Sequence, residues 1–175
     1  RNPPSLPDDD ASSDMQQGIE NLLAENAYEH YETSAFAQPN HRAKHNLNYW
    51  KFGDYLGIGA GAHSKLSFPD KIIRQARYKQ PQAYMQQVLQ GAPIQTETQV
   101  SRAEIPFEFM LNALRLNAGF DASLFAERTS LSLLAIQREL NNAEQRGLLF
   151  RDHQRIAPTA QGQRFLNDLL EIFLA

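Results

Sequence analysis

The spacing of apolar residues changes character near Ser101, and this change most restricts the folds open to the chain. Before it, helix-like and strand-like segments alternate. Pro7 to Ala11 supplies acidic residues at a helix entrance, and Met15, Ile19, Leu22 and Leu23 then share one helical face. A helix over 9–25 is expected to pack that stripe against a sheet. Tyr28 to Ala37 reads as a strand with His30, Glu32, Ser34 and Phe36 on one face, and Tyr55 to Ile58 as a second, shorter strand. This order suits an α/β sheet or barrel, yet about two strands are too few to close a barrel.

Lys65 to Tyr78 is expected to form a hairpin around Ser67-Phe68-Pro69-Asp70. Gln80-Pro81 then opens a helix to Leu89, and 91–103 reads as an exposed linker with a short extended piece. Past Ser101 the pattern becomes helical. Helices are expected over Glu104 to Leu116, over Asp121 to Glu127, and from a Thr129-Ser130 cap to Arg146. A hairpin around Asp152-His153-Gln154 and a last helix from Ala160 to Leu174 follow. Three helices, a β-wing and a final helix describe a winged-helix-like unit.

A winged helix raises the question of DNA, which requires a basic recognition helix. Leu131 to Arg146 sets Arg138 and Arg146 against Glu139 and Glu144, and 104–175 carries a net charge of −2. Nucleic acid is therefore not an expected partner, and packing or partner docking is. The basic charge lies elsewhere. Between His41 and Lys79 the net charge is +6, while the remainder carries −9. That layout suits a middle segment facing an anion, with Lys71, Arg74, Arg77 and Lys79 as possible steering groups. A solvated basic hairpin explains it equally well.

At 175 residues, the chain has length for one substantial core or two small ones. No apolar run reaches the 18 residues of a membrane span, and the N-terminus lacks the apolar core of a signal peptide. It begins with Arg1 instead of Met, as expected of a fragment or processed product. Cysteine is absent, which removes disulfides, cysteine nucleophiles and any thiolate-held iron–sulfur cluster in this chain.

Chemistry concentrates between His45 and Ser64. His45-Asn46-Leu47-Asn48-Tyr49-Trp50 combines amides, an imidazole and the single Trp, as in the wall of a pocket for something flat and polar-edged. In an extended segment Asn46 and Asn48 would project to one side, with Leu47 facing away. Capping by Asn46 and core filling by Trp50 remain the ordinary alternatives. Gly57-Ile58-Gly59-Ala60-Gly61 lacks the Lys and Ser/Thr of a phosphate-binding loop, so it reads as a strand end allowing close backbone approach, or as a tight turn. His45 and His63 lack metal-site spacing. A lone imidazole can ligate a haem iron, although such a residue is more often structural.

Leu6 to Asp10, Tyr31 to Ala37, His45 to Trp50, Gly53 to Ser64 and Leu166 to Leu174 together resemble the HemN/HemW group of radical S-adenosylmethionine (SAM) proteins. The resemblance implies α/β plus mainly α architecture. Residues 1–64 would be the terminal part of a partial radical-SAM (β/α) barrel, 65–103 a basic hairpin, helix and linker, and 104–175 a helical winged-helix-like C-terminal domain. The pattern of His45 with Tyr49-Trp50 and of Gly61-Ala62-His63-Ser64 resembles the haem-chaperone branch more than the coproporphyrinogen III oxidase branch.

The chaperone branch implies haem held by His45 and delivered to accepting proteins in the cytoplasm. Either branch implies a SAM or substrate pocket with Asn46, Leu47, Asn48, Ala62 and His63. SAM and a 4Fe-4S cluster would serve the full-length protein. The cluster-binding cysteines belong to a part of the family pattern that this chain does not contain, so the chain alone is expected to be inactive as a radical enzyme.

Overall fold

Asp8 fixes where the first helix begins, because its side chain accepts a hydrogen bond from Ala11 N at 2.8 Å. In the computed structural model, which describes Pro4 and residues 6–174, helix α1 runs Asp9–Glu25 as its capping and periodicity predict. Its apolar stripe, however, is not packed: Met15, Ile19 and Leu22 are all at least half exposed, and α1 buries no residue. The sheet expected to cover it is only a hairpin, which presents too little surface.

Tyr28 to Ala37 is not one strand. Strands β1 (Glu29–Glu32) and β2 (Ala35–Ala37) pair antiparallel across a turn at Thr33-Ser34. The register shifts between His30 and Glu32, so Tyr31 and Glu32 are both buried despite being neighbours. His30 stacks on its cross-strand partner Phe36 at 4.2 Å. The chain forms two compact units, Arg1–Ala43 and Lys44–Ala175, and these elements make up the first.

The second unit starts with α2 (Lys44–Trp50) and has no strand at Tyr55 to Ile58, only a bridge from Tyr55 to Lys65. The predicted basic hairpin is present as β3 (His63–Ser67) and β4 (Ile72–Arg77). After α3 (Pro81–Leu89), the supposed linker supplies a third antiparallel strand, β5 (Ile94–Val100), paired with β4. Its polar residues stay exposed while its backbone completes the sheet, which is why it lacks an apolar stripe.

Helix α4 (Ile105–Ala113) is the centre of the core. Phe109, Met110 and Ala113 are fully buried, and the Phe109 ring meets Phe52, Phe120 and Phe125 edge-to-face at 5.1–5.7 Å between centroids. Around it lie β6 (Phe120–Asp121), α5 (Ala122–Thr129), α6 (Gln137–Gln145), β7 (Leu149–Arg151), β8 (Arg155–Pro158), α7 (Ala160–Arg164) and α8 (Leu166–Glu171). The last three strands form a sheet in the order β6-β8-β7. The same core reaches Phe52, Ile72 and Val100, so the small β3-β4-β5 sheet and the helices share one apolar interior.

Two helix expectations are corrected. Thr129-Ser130 closes α5 instead of opening the next helix: Thr129 Oγ1 donates to Phe125 O, and Ser130 adopts a left-handed conformation at φ 56°. Ser132 is the cap that starts a short 3-10 turn, Leu133–Ile136, ahead of α6. The final helix is broken at Phe165, whose φ of −111° and ψ of 46° separate α7 from α8.

Candidate functional site

The segment from His45 to Ser64 begins as a helix, so the amide pair does not face one way. At roughly 100° per residue, Asn46 and Asn48 lie about 200° apart around α2. Asn48 is used locally, its Nδ2 donating to Asp54 O at 2.9 Å. Gly53 follows because its N donates to Asn48 O at 2.7 Å, and a Cβ there would stand 2.1 Å from Asn48 Oδ1. The Asn48–Gly53 pair therefore closes the helix. His45 lies exposed on α2, and its side chain makes no hydrogen bond or ion pair among the described residues.

The aromatic residues divide between solvent and core. Tyr49 is exposed and meets Tyr55 edge-to-face at 4.6 Å. Trp50 is partly buried, and the Arg115 guanidinium lies over its ring at 4.4 Å, so one ring face is occupied from within the chain. Its indole Nε1 is buried without an acceptor.

Directly after α2 lies an arrangement that sequence reading missed. Lys65, in β3, is a buried lysine whose ammonium donates to Phe52 O, Asp54 Oδ1 and Ser67 Oγ, each at 3.0 Å. An ammonium has three donors, so all are satisfied. Its charge also lies 3.9 Å from the Phe52 ring centroid. Burial lowers the Lys65 pKa, opposed by Asp54. Burial pushes the Asp54 carboxyl up, but hydrogen bonds from Ser67 and Lys65 outweigh it and hold the value below the usual range. This pair clamps the end of α2 to β3. A Lys between Ser64 and Leu66 carries no local mark of burial, because its partner lies eleven positions earlier.

The glycine-rich run is a loop laced to the sheet. Gly57 N donates to Ser64 Oγ at 3.0 Å, Gly59 N to Tyr84 Oη at 3.3 Å, and Gly61 N to Tyr78 O at 2.8 Å. A Cβ on Gly57 would lie 2.1 Å from His63 O, which explains the need for glycine by chain approach. Ala62 is partly buried, and its carbonyl accepts from Arg77 N at 2.9 Å. His63 opens β3 with its side chain exposed.

The four proposed steering cations differ in their surroundings. Arg74 forms an ion pair with Glu108 and donates to Tyr55 Oη, while Arg77 Nε donates to Gly57 O at 2.6 Å. Both are committed within the fold. Lys71 and Lys79 remain exposed, Lys71 near the Phe68 ring at 5.7 Å. Among the described residues, no group of three or more His, Asp or Glu side chains is arranged to hold a metal, and no helix is long and apolar enough to cross a membrane.

Comparison with known proteins gives these residues a context. The model of the HemN C-terminal domain family matches residues 100–165. Over 174 residues the chain is 41% identical to the haem chaperone HemW of Escherichia coli K12, covering 99% of this chain and 45% of that protein. The haem chaperone HemW of Haemophilus influenzae is 42% identical over 173 residues, covering 98% and 44%. The chain thus spans less than half the length of these curated relatives. A solved structure of E. coli coproporphyrinogen III oxidase (HemN), described as a radical SAM enzyme, superposes with a TM-score of 0.67 at 20% identity, covering 96% of this chain and 42% of that one. At that identity the likeness concerns fold.

Proposed function

Because this chain belongs to the HemN/HemW family of radical SAM-related proteins, we propose that it is the tetrapyrrole-receiving portion of a haem chaperone, which binds haem and passes it to accepting proteins. The observation that carries the reading is identity above 40% along nearly the whole chain with two haem chaperones. His45 is the residue that would hold the haem iron. Its exposed imidazole suits an incoming planar group, and imidazole nitrogen is a competent donor to haem iron. Haem, when bound, would supply the iron coordination site and carboxylates for recognition.

In this reading Asn46, Leu47, Ala62 and His63 border the ligand or a SAM pocket. Asn48 shapes that border through its bond to Asp54 O. Lys71 and Lys79 contribute positive potential, and Arg74 and Arg77 add charge while bracing the loop. Residues 1–64 would complete a partial barrel whose remaining strands cover the stripe of α1. Residues 65–103 would connect this part to the winged-helix-like domain at 104–175. The cysteine-free chain has no thiolate to hold a cluster, so the ligands of a 4Fe-4S centre would come from other parts of a full-length protein. A cytoplasmic location accompanies this proposal.

The test is a haem titration of the full-length protein, followed through the Soret band, with His45→Ala beside the wild type. Loss or displacement of the band and at least tenfold weaker binding are expected. Unchanged spectrum and affinity would remove His45 as ligand. Similarity of fold to the oxidase favours a second reading, oxidative decarboxylation of coproporphyrinogen III by the full-length protein. No vinyl-group formation in an anaerobic assay of the cluster-loaded protein would exclude that reading.

A further inference from the structure

A cleft of about 340 Å³ opens between the β3–β4 turn, the end of β5 and the end of α5, away from the glycine-rich loop in sequence. Its floor is apolar, formed in part by Ile72, Val100, Ile105 and Leu131, four residues of the buried core. Its charged lining consists of Lys71, Arg102 and Arg128 with the carboxylates of Asp70 and Glu127. None of these five groups forms an ion pair among the described residues, although both signs line the same cleft. Arg128 lies in the last turn of α5, where the helix dipole favours a cation, but Arg102 follows β5 and has no such support.

Two guanidinium groups that form no ion pair with the carboxylates of the same cleft, beside an apolar floor, suit a ligand with an apolar body and planar carboxylates. Each guanidinium presents a fork that matches a carboxylate in two-point contact, and the apolar floor offers a surface for the body of the same ligand. The volume lies at the lower end of the range for small-molecule pockets, about 300–1,000 Å³, and so takes one edge of a large macrocycle. Phe68, half exposed and also lining the cleft, adds an aromatic wall at its mouth.

We propose that this cleft holds the propionate edge of the tetrapyrrole, with Arg102 and Arg128 as the carboxylate-binding residues and Lys71 as an accessory charge at the rim. The inference rests on the haem-binding reading above and adds a specificity determinant separate from the iron ligand. It predicts that recognition depends on free carboxylates. Asp70 and Glu127 restrain binding of other anions, because a ligand that gains nothing from the apolar floor meets their charge uncompensated.

The experiment is a paired titration of the full-length protein with haem and with haem dimethyl ester, in the same detergent, for the wild type and Arg102→Gln/Arg128→Gln. The wild type is expected to prefer free haem about tenfold, and the double variant to lose that preference while keeping its Soret position. Arg102→Lys/Arg128→Lys, which keeps charge but not the fork, should recover only part of the preference. Both arginines are exposed, so the variants should fold, which their thermal transitions will verify. Equal wild-type affinity for acid and ester overturns the cleft assignment but leaves haem binding intact, as does a preference that survives in the double variant. Absence of haem binding by the wild type overturns both.

Discussion

Helices α1 and α4 both carry apolar stripes, yet α1 buries none of its residues and α4 buries Ile105, Phe109, Met110 and Ala113. The difference lies in what surrounds them. Within its unit α1 meets a hairpin, reached by the Glu20–His30 contact at 3.8 Å, whereas α4 is enclosed by strands and helices that supply Phe52, Phe120 and Phe125 to one aromatic cluster. An amphipathic pattern thus states that a face needs cover. It does not state whether the same chain provides it.

The largest expected effect tests that contrast directly. Phe109→Ala should destabilise the second unit by about 3–5 kcal/mol, by lost burial and the cavity left behind. Leu22→Ser on α1 should change the stability of this chain by no more than about 0.5 kcal/mol, because the side chain is already exposed. Urea denaturation of both variants is the measurement, and comparable losses would show that α1 is covered after all.

Smaller effects concern the clamp. Lys65→Met removes the ammonium, so the buried Phe52 O loses its side-chain donor and Asp54 keeps only its bonds from Ser67, a loss of about 1–3 kcal/mol. Met fills much of the same space, so a larger loss would mean that the Phe52 ring had shifted. The Asp54 carboxyl is held below its ordinary value of 3.8 by hydrogen bonds from Ser67 and Lys65 that outweigh its burial. A carboxylate so held contributes stability above that value and loses it as pH falls through the lower folded value. The stability difference between Asp54→Asn and wild type should therefore be full near neutrality and shrink in acid. A difference independent of pH would place the contribution of Asp54 in neutral hydrogen bonding. This change is expected to be smaller than that of Lys65→Met, because Asp54 is 44% exposed and its charge is screened.

Local signals were sufficient for several elements. Asp8 with its acidic neighbours marked α1, Pro69-Asp70 marked the turn between β3 and β4, and Gln80-Pro81 with Gly91 bounded α3. They failed where a backbone partner lies far away and where a turn carries neither Gly nor Pro, as at Thr33-Ser34. β5 is polar between Ile94 and Val100 and became a strand because β4 offered an open edge. Tyr28 to Ala37 has the composition of one strand, but a bulge and a two-residue turn fold it onto itself.

The candidate site shows the same division. His45, Tyr49, Trp50 and the glycine run were legible as an unusual stretch, and their resemblance to one family agrees with the relatives found along the chain. The helical form of α2 separated the amide pair that an extended segment would have aligned. Lys65, Arg102 and Arg128 carried no mark of their roles, since burial and unpaired charge are properties of surroundings.

What the sequence determined by itself was the set of local commitments: caps, turns, glycines, the absence of cysteine and the family signature. Those depend on residues within a few positions of each other, or on simple presence. Only the tertiary structure decided which apolar faces are covered, which lysine is buried and which arginines are left free. Burial and pairing arise where distant segments meet, and a buried charge is stable only when its partners come within hydrogen-bonding distance, as at Lys65.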